Sequence, residues 1–253
     1  MTESIWEQCV EEISRVTLSG EAFRVVESQE KVATNELVDT LEEQALLEEM
    51  LDTTKPAIPS EARDLSYLLF TPFRYPPLKH GSRFGRRFEP SLFYGSRTLT
   101  AALAEIAYYR LHFWLDMSEP PPSGKLKTQH TVFTVQIESN EGLKLQLPPF
   151  LKYQNSLTDK SSYDVTQSVG TSMRENKIEV FEYISARDKE QGINIGLFTA
   201  NAFKEKKASS VANIFCSTHA EGVEFMDEKS EIYYYHFNDF LDNGQFPKLG
   251  YNF

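Results

Sequence analysis

Six basic side chains, Arg74, Lys79, Arg83, Arg86, Arg87 and Arg97, fall within residues 74–97 against one acid, Glu89. A guanidinium offers a planar fork of donors that matches a phosphate or carboxylate at two points. Such a cluster therefore suits a small anionic ligand, and a solvated basic loop accounts for the charge equally well. Further on stands Glu105, inside Ala101-Ala-Leu-Ala-Glu-Ile106. In that apolar setting an unpartnered carboxylate is costly. His112 lies seven residues beyond, on the same face of a helix, where an acid–base role and a satisfied surface position are both open. Ser185 has no Gly-x-Ser-x-Gly elbow around it and no histidine nearby in sequence, which argues against a nucleophile.

The elements that must hold these residues follow from the hydrophobic pattern. Ser4-Ile-Trp-Glu7 has the spacing of a capping box, and a short helix over 5–16 follows. Phe23-Arg-Val-Val26 reads as a short extended piece. Leu37, Val38, Leu41, Ala45, Leu47, Met50 and Leu51 predict an amphipathic helix over 34–51, Glu-rich on its other face. Lys55-Pro-Ala-Ile-Pro59 ends it, because proline cannot continue the hydrogen-bond ladder. The run Leu65–Thr71 is short enough to be a buried strand, and Ser91–Tyr94 is another, with Tyr94 at its end. Thr98 is placed to cap a helix reaching about Asp116, which Pro120-Pro-Pro122 closes off. Residues 131–137, 178–184, 193–199, 210–217 and 232–237 read as strands, and 162–176 as a helix. The order is that of an α+β domain with a helical N-terminal extension.

Charge sharpens the division. Residues 1–62 carry 15 acidic and 4 basic residues, which is the whole net charge of -11. They are expected to form an acidic helical extension, with 63–253 as the main body. That body is neutral, so a general nucleic-acid surface, which needs a broad basic face, is not expected. The acidic helix suggests a solvated face, or a cover folded over the basic loop. No segment approaches the ~20 apolar residues of a membrane helix, and the acidic start does not resemble a signal peptide. Cys9 and Cys216 are far apart and belong to no Cys/His cluster, so neither a zinc site nor a disulfide scaffold is expected. The expected compartment is a reducing cytoplasm.

Over residues 65–203 a series of short motifs falls in one order. They are Phe73-Arg74, Gly81-Ser-Arg-Phe-Gly-Arg-Arg-Phe88, Leu92-Phe-Tyr-Gly-Ser96 and Ala101-Ala-Leu-Ala-Glu105. Then come Tyr163-Asp-Val-Thr-Gln167 with Gly170, Tyr183-Ile-Ser-Ala-Arg-Asp188 and Asn194-Ile-Gly-Leu-Phe198. This ordered set resembles the RES-domain family, named for an arginine, a glutamate and a serine. The trio then falls on Arg74, Glu105 and Ser185. The chain departs from the family's pattern at Ile184, where a proline often precedes the serine. It departs again at Arg86-Arg87-Phe88, so Arg83, Arg86 and Arg87 all compete for one arginine role.

The resemblance implies an ADP-ribosyltransferase-like fold with a split β-sheet, and an enzyme that consumes NAD with phosphate or water as acceptor. It implies membership of a toxin–antitoxin pair, with the antitoxin covering the active site; assembly of the chain with itself is a further possibility. Protein ADP-ribosylation is the enzymatic alternative, and a nucleotide-binding pseudoenzyme the non-enzymatic one. No cofactor or metal is implied, since NAD is the substrate and phosphate a possible co-substrate. Glu105 would face the positive charge that builds on the ribose as its bond to nicotinamide breaks. Arg74 would take pyrophosphate or incoming phosphate, helped by Arg87, Arg83 or Arg86. Tyr94 would stack on nicotinamide or ribose, and Ser185 would hydrogen-bond the ligand. Tyr108, a turn beyond Glu105, would simply pack.

Overall fold

The computed structural model describes residues 4–28 and 38–248. In chain order the elements are α1 (Ile5–Cys9), β1 (Val16–Glu27), α2 (Leu41–Thr54), α3 (Tyr67–Arg74), β2 (Phe93–Ser96) and α4 (Leu99–Leu115). There follow β3 (Leu126–Lys144), α5 (Gln154–Leu157), α6 (Asp164–Glu175), β4 (Val180–Ile184), β5 (Ile193–Leu197), β6 (Ser210–His219), β7 (Gly222–Asp227) and β8 (Ile232–His236). The domain is of the α+β class. Among the described residues, no helix is long and apolar enough to cross a membrane.

The sheet is split, and two long strands make it so. β1 and β3 pair antiparallel from Val16↔Gly142 to Glu27↔His130. On its other edge β3 carries β6, and the β6–β7–β8 meander extends that wing. At its far end β3 runs parallel to β4 over Gly142–Lys144. β4, β5 and β2 then follow antiparallel, and β2 returns to β1 at the single pair Phe23↔Ser96. The two wings thus diverge between β1 and β2, and α4 lies beside the opening.

Three buried clusters hold this arrangement. Trp6, Phe84, Phe150, Phe181 and Tyr183 pack on one side of the β4–β5 wing. Leu69, Phe93, Phe133 and Ile195 fill a second cluster under α3. Leu103, Tyr108, Leu111, Ile214 and Phe225 join α4 to the meander.

The structure corrects several expectations. Leu65–Thr71 is not a strand; most of it is α3. Leu68, Leu69 and Phe73 of α3 all meet the second cluster, a helical spacing that a short apolar run does not reveal by itself. The 5–16 helix is only α1 and one 3-10 turn at Val10–Glu12, and the extended piece at 23–26 is a strand of 12 residues. That strand, β1, falls within residues 1–62 and lies between β2 and β3 within the sheet. The helix expected over 34–51 is α2, ending at Thr54; Leu37 lies outside the described residues. Leu41, Met50 and Leu51 are exposed, so its expected apolar stripe is largely unburied. The strand β7 has no counterpart among the expected elements.

His130 on β3 sits beside Phe225, ring centres 6.2 Å apart, with Nε2 3.0 Å from Thr128 Oγ1. Burial, with Arg110 nearby, lowers its pKa to about 4 from 6.5. The folded protein thus holds His130 neutral, whereas the unfolded chain takes up a proton below the ordinary value. This contribution to stability is intact above pH 6.5 and is lost as pH falls toward 4. Between pH 7 and pH 5 the loss should be about 2 kcal/mol. Denaturant unfolding at both pH values should show wild type losing that much more than His130→Gln; equal losses would remove His130 as the cause.

Candidate functional site

The opening between the wings is a cavity of about 390 Å³, within the range of small-molecule sites. Arg24 and Gly95 line it from β1 and β2, Glu105 and Tyr109 from α4, and Ser82, Arg83, Tyr163, Tyr183 and Asn194 complete the wall.

Glu105 reaches this cavity because Thr98 starts α4 where expected, its hydroxyl accepting from Ala101 N at 3.2 Å. Oε1 of Glu105 accepts from Ser185 Oγ at 2.7 Å and from Asn194 Nδ2 at 2.6 Å. Ser185 follows β4, and its hydroxyl oxygen also accepts from Arg187 N at 3.1 Å and Asp188 N at 3.0 Å. With its proton donated to Glu105 and two amides on its oxygen, Ser185 is a buried brace for the carboxylate. No histidine hydrogen-bonds to it among the described residues.

Two guanidiniums stand in the cavity wall. Arg83 is buried; its Nη1 donates to Asp159 O at 2.9 Å and its Cζ lies 4.7 Å from the Tyr163 ring centre. Arg24 donates from Nη1 to Tyr94 O at 3.1 Å and lies over the Phe93 ring at 4.7 Å. Burial lowers the pKa of Arg24 to about 10, which still leaves it cationic at neutral pH. Burial pushes Tyr94 up to about 12, so it is a neutral phenol. Its hydroxyl accepts from Phe84 N and pairs with Ser82 Oγ, each at 2.9 Å. Burial, then Glu105, raises Tyr183 as well.

The loop that carries Arg83 is held by α6. Gly81 turns with φ +74°, and a Cβ there would strike the Gly85 carbonyl, so only glycine suits the turn. Gln167 Nε2 donates to His80 O at 2.9 Å and Ser82 O at 3.1 Å. Glu89 accepts from Thr171 Oγ1 at 2.5 Å and from Arg86 N at 2.6 Å. At Gly170 the Phe84 backbone comes so close that a Cβ would collide with it. The Gln167 and Gly170 of the sequence motif thus serve the Arg83 loop.

Of the expected site residues, Glu105, Ser185, Tyr94 and Arg83 come together. Arg74, Arg86 and Arg87 do not line this cavity. Arg74 ends α3 and donates from Nε to Pro56 O at 2.6 Å. Arg86 is partly buried, tied through its backbone to Glu89, and Arg87 is exposed. No described residue of α2 is in the lining either. His112 pairs with Asp116 at 2.9 Å, and Tyr108 is core, donating to Pro247 O at 2.6 Å.

Arg97, another member of the basic cluster, serves the fold. It donates from Nε to Glu182 Oε1 at 2.7 Å and from Nη1 to Glu21 O at 3.0 Å. Both partners of the ion pair are largely buried. Glu182→Ala would strand the arginine and should cost about 3 kcal/mol, read by chemical denaturation. A change below about 1 kcal/mol would show the pair to be dispensable.

Arg24 is a cavity residue that sequence reasoning missed. One signal was present: a lone arginine between Ala22, Phe23, Val25 and Val26 interrupts an apolar run, and a charge in such a place needs a partner or a ligand.

No curated protein matches the chain. Among solved structures it is similar in part to the crystal structure of the M. tuberculosis MbcT–MbcA toxin–antitoxin complex, at 9% sequence identity and a TM-score of 0.48. That alignment covers 81% of this chain and 90% of the other. The RES domain matches residues 58–216, a span that holds Arg83, Tyr94, Glu105, Ser185 and Asn194 together. The chain belongs to the RES-domain family.

Proposed function

We propose that this protein degrades NAD, cleaving the nicotinamide–ribose bond and passing the ADP-ribosyl group to phosphate or water. One observation carries the reading: the Glu105 carboxylate is braced through one oxygen in a cavity that also holds two guanidiniums. No described residue hydrogen-bonds the other oxygen, Oε2, which is left for a ribose hydroxyl and the charge that develops beside it. Arg24 and Arg83 supply the cations for pyrophosphate or an incoming phosphate. The tyrosines give flat, neutral walls for the nicotinamide and ribose.

Nicotinamide departs from a pyridinium already carrying positive charge, so it leaves as a neutral ring without a proton from the enzyme. Its departure leaves an electron-poor anomeric carbon. Attack by water releases one proton and gives ADP-ribose; attack by phosphate gives the ADP-ribosyl phosphate. The protein acts as a toxin in this reading, and its antitoxin closes the cavity. Leu78 and Tyr109, exposed beside the cavity, offer the apolar surface for that contact.

Incubation of the purified chain with NAD, with and without phosphate, and identification of products by mass is the direct test. Released nicotinamide is expected, with phosphate deciding the second product. Label from NAD moving onto protein would favour protein ADP-ribosylation instead, and intact NAD with measurable binding would leave a pseudoenzyme.

A further inference from the structure

Ser96 and Asn194 are directly opposite each other in the β2–β5 ladder. Both are buried, 2% and 1% exposed. Ser96 Oγ donates to Asn194 Oδ1 at 2.6 Å, and Asn194 Nδ2 donates to Glu105 Oε1 at 2.6 Å. We infer that Ser96 and Asn194 are positioning residues for the proposed reaction, a relay that fixes which oxygen of Glu105 faces the substrate.

The orientation of the amide decides this. An asparagine side chain presents a donor end and an acceptor end. A flipped Asn194 would set its oxygen against the Glu105 carboxylate, two acceptors at hydrogen-bond distance. By donating to Oδ1, the Ser96 hydroxyl holds the amide the other way. Water cannot substitute easily, since both side chains are buried and a mispaired polar group there is costly. Ser185, just past the end of the neighbouring strand β4, secures the same oxygen, Oε1. Two donors on Oε1 prevent the carboxylate from rotating, and Oε2 is the oxygen left for the cavity. The relay is set by strand register, because a shift of one residue would turn Ser96 or Asn194 to the other face.

This inference rests on the NAD-cleaving reading, so its test needs a measurement independent of turnover. The full-length protein would be labelled at glutamate carboxyl carbons, and the Glu105 resonance assigned by its loss in Glu105→Gln. That resonance and the pH dependence of kcat for NAD would be followed in wild type, Asn194→Asp and Ser96→Ala. Asn194→Asp is nearly isosteric but sets a second carboxyl against Oε1, and two such groups share a proton. The expected result is a fall in kcat of about a hundredfold at neutral pH, with KM within about threefold. The acid limb of the profile should move up by about one pH unit or more, and the Glu105 titration with it. Ser96→Ala frees the amide to flip and should lower kcat about tenfold, with a displaced Glu105 resonance.

Unchanged resonance and unchanged pH profile in both variants would overturn the relay, even if stability falls. Should Asn194→Asp fail to fold, Ser96→Ala with the same two readouts decides the matter. Wild type that leaves NAD intact would defeat the reaction, while the carboxyl titration would still decide whether the relay exists.

Discussion

Glu105→Gln should lower kcat for NAD cleavage by about a thousandfold, with little change in the thermal midpoint. The substitution is informative because the amide can keep its local contacts. Its oxygen takes the place of Oε1, accepting from Ser185 and Asn194, which lie at 2.7 and 2.6 Å in the native protein. Its NH2 then faces the cavity in place of Oε2. A negative acceptor is thereby replaced by a neutral donor at the position where charge develops on the sugar. The loss belongs to the transition state, so kcat falls while KM for NAD stays within a few-fold. On expression in a host cell, growth arrest by wild type and normal growth with Glu105→Gln are expected. Activity retained within about tenfold would remove Glu105 from the chemistry.

The next largest effect, on binding, is expected at Arg24, and very little at Arg74. Arg24→Ala removes one of two cavity guanidiniums, whose charge-assisted contact with phosphate is worth about 1.5–3 kcal/mol. KM for NAD should rise by roughly ten- to a hundredfold. Because Arg24 also donates to Tyr94 O, Arg24→Lys serves as a companion: it keeps the charge, loses the fork and should recover part of the binding. Arg74→Ala should leave KM and kcat within about threefold, since its contact with Pro56 O lies outside the cavity. The opposite pattern, with Arg74→Ala inactive and Arg24→Ala unimpaired, would return the cation role to the arginine that the sequence motif suggested.

These two experiments also separate what kinds of information placed each residue. The sequence by itself located Glu105, because a threonine cap and an alanine-rich helix are local signals, and α4 begins after Thr98 as expected. It located the loop of Arg83 for the same reason, since Gly81 marks a turn within a few residues. The helix α6 and the strands β4, β5 and β6 were legible too, from periodicity and bounding turn residues.

Local signals fail where the deciding partner is remote. Leu65–Thr71 reads as a strand until the second cluster is present to take Leu68, Leu69 and Phe73 on one side of a helix. Arg24 lies 59 positions before Arg83 in the chain, and only the pairing of β1 with β2 and β3 brings both to one opening. Composition assigned the first 62 residues to an acidic extension, because most of its charge lies outside β1. Sheet pairing is non-local, so a strand's place in a sheet is fixed by partners far away in sequence. The amino-acid sequence determined the place of Glu105 on its helix and the family; the tertiary structure decided which guanidiniums share its cavity and what braces it.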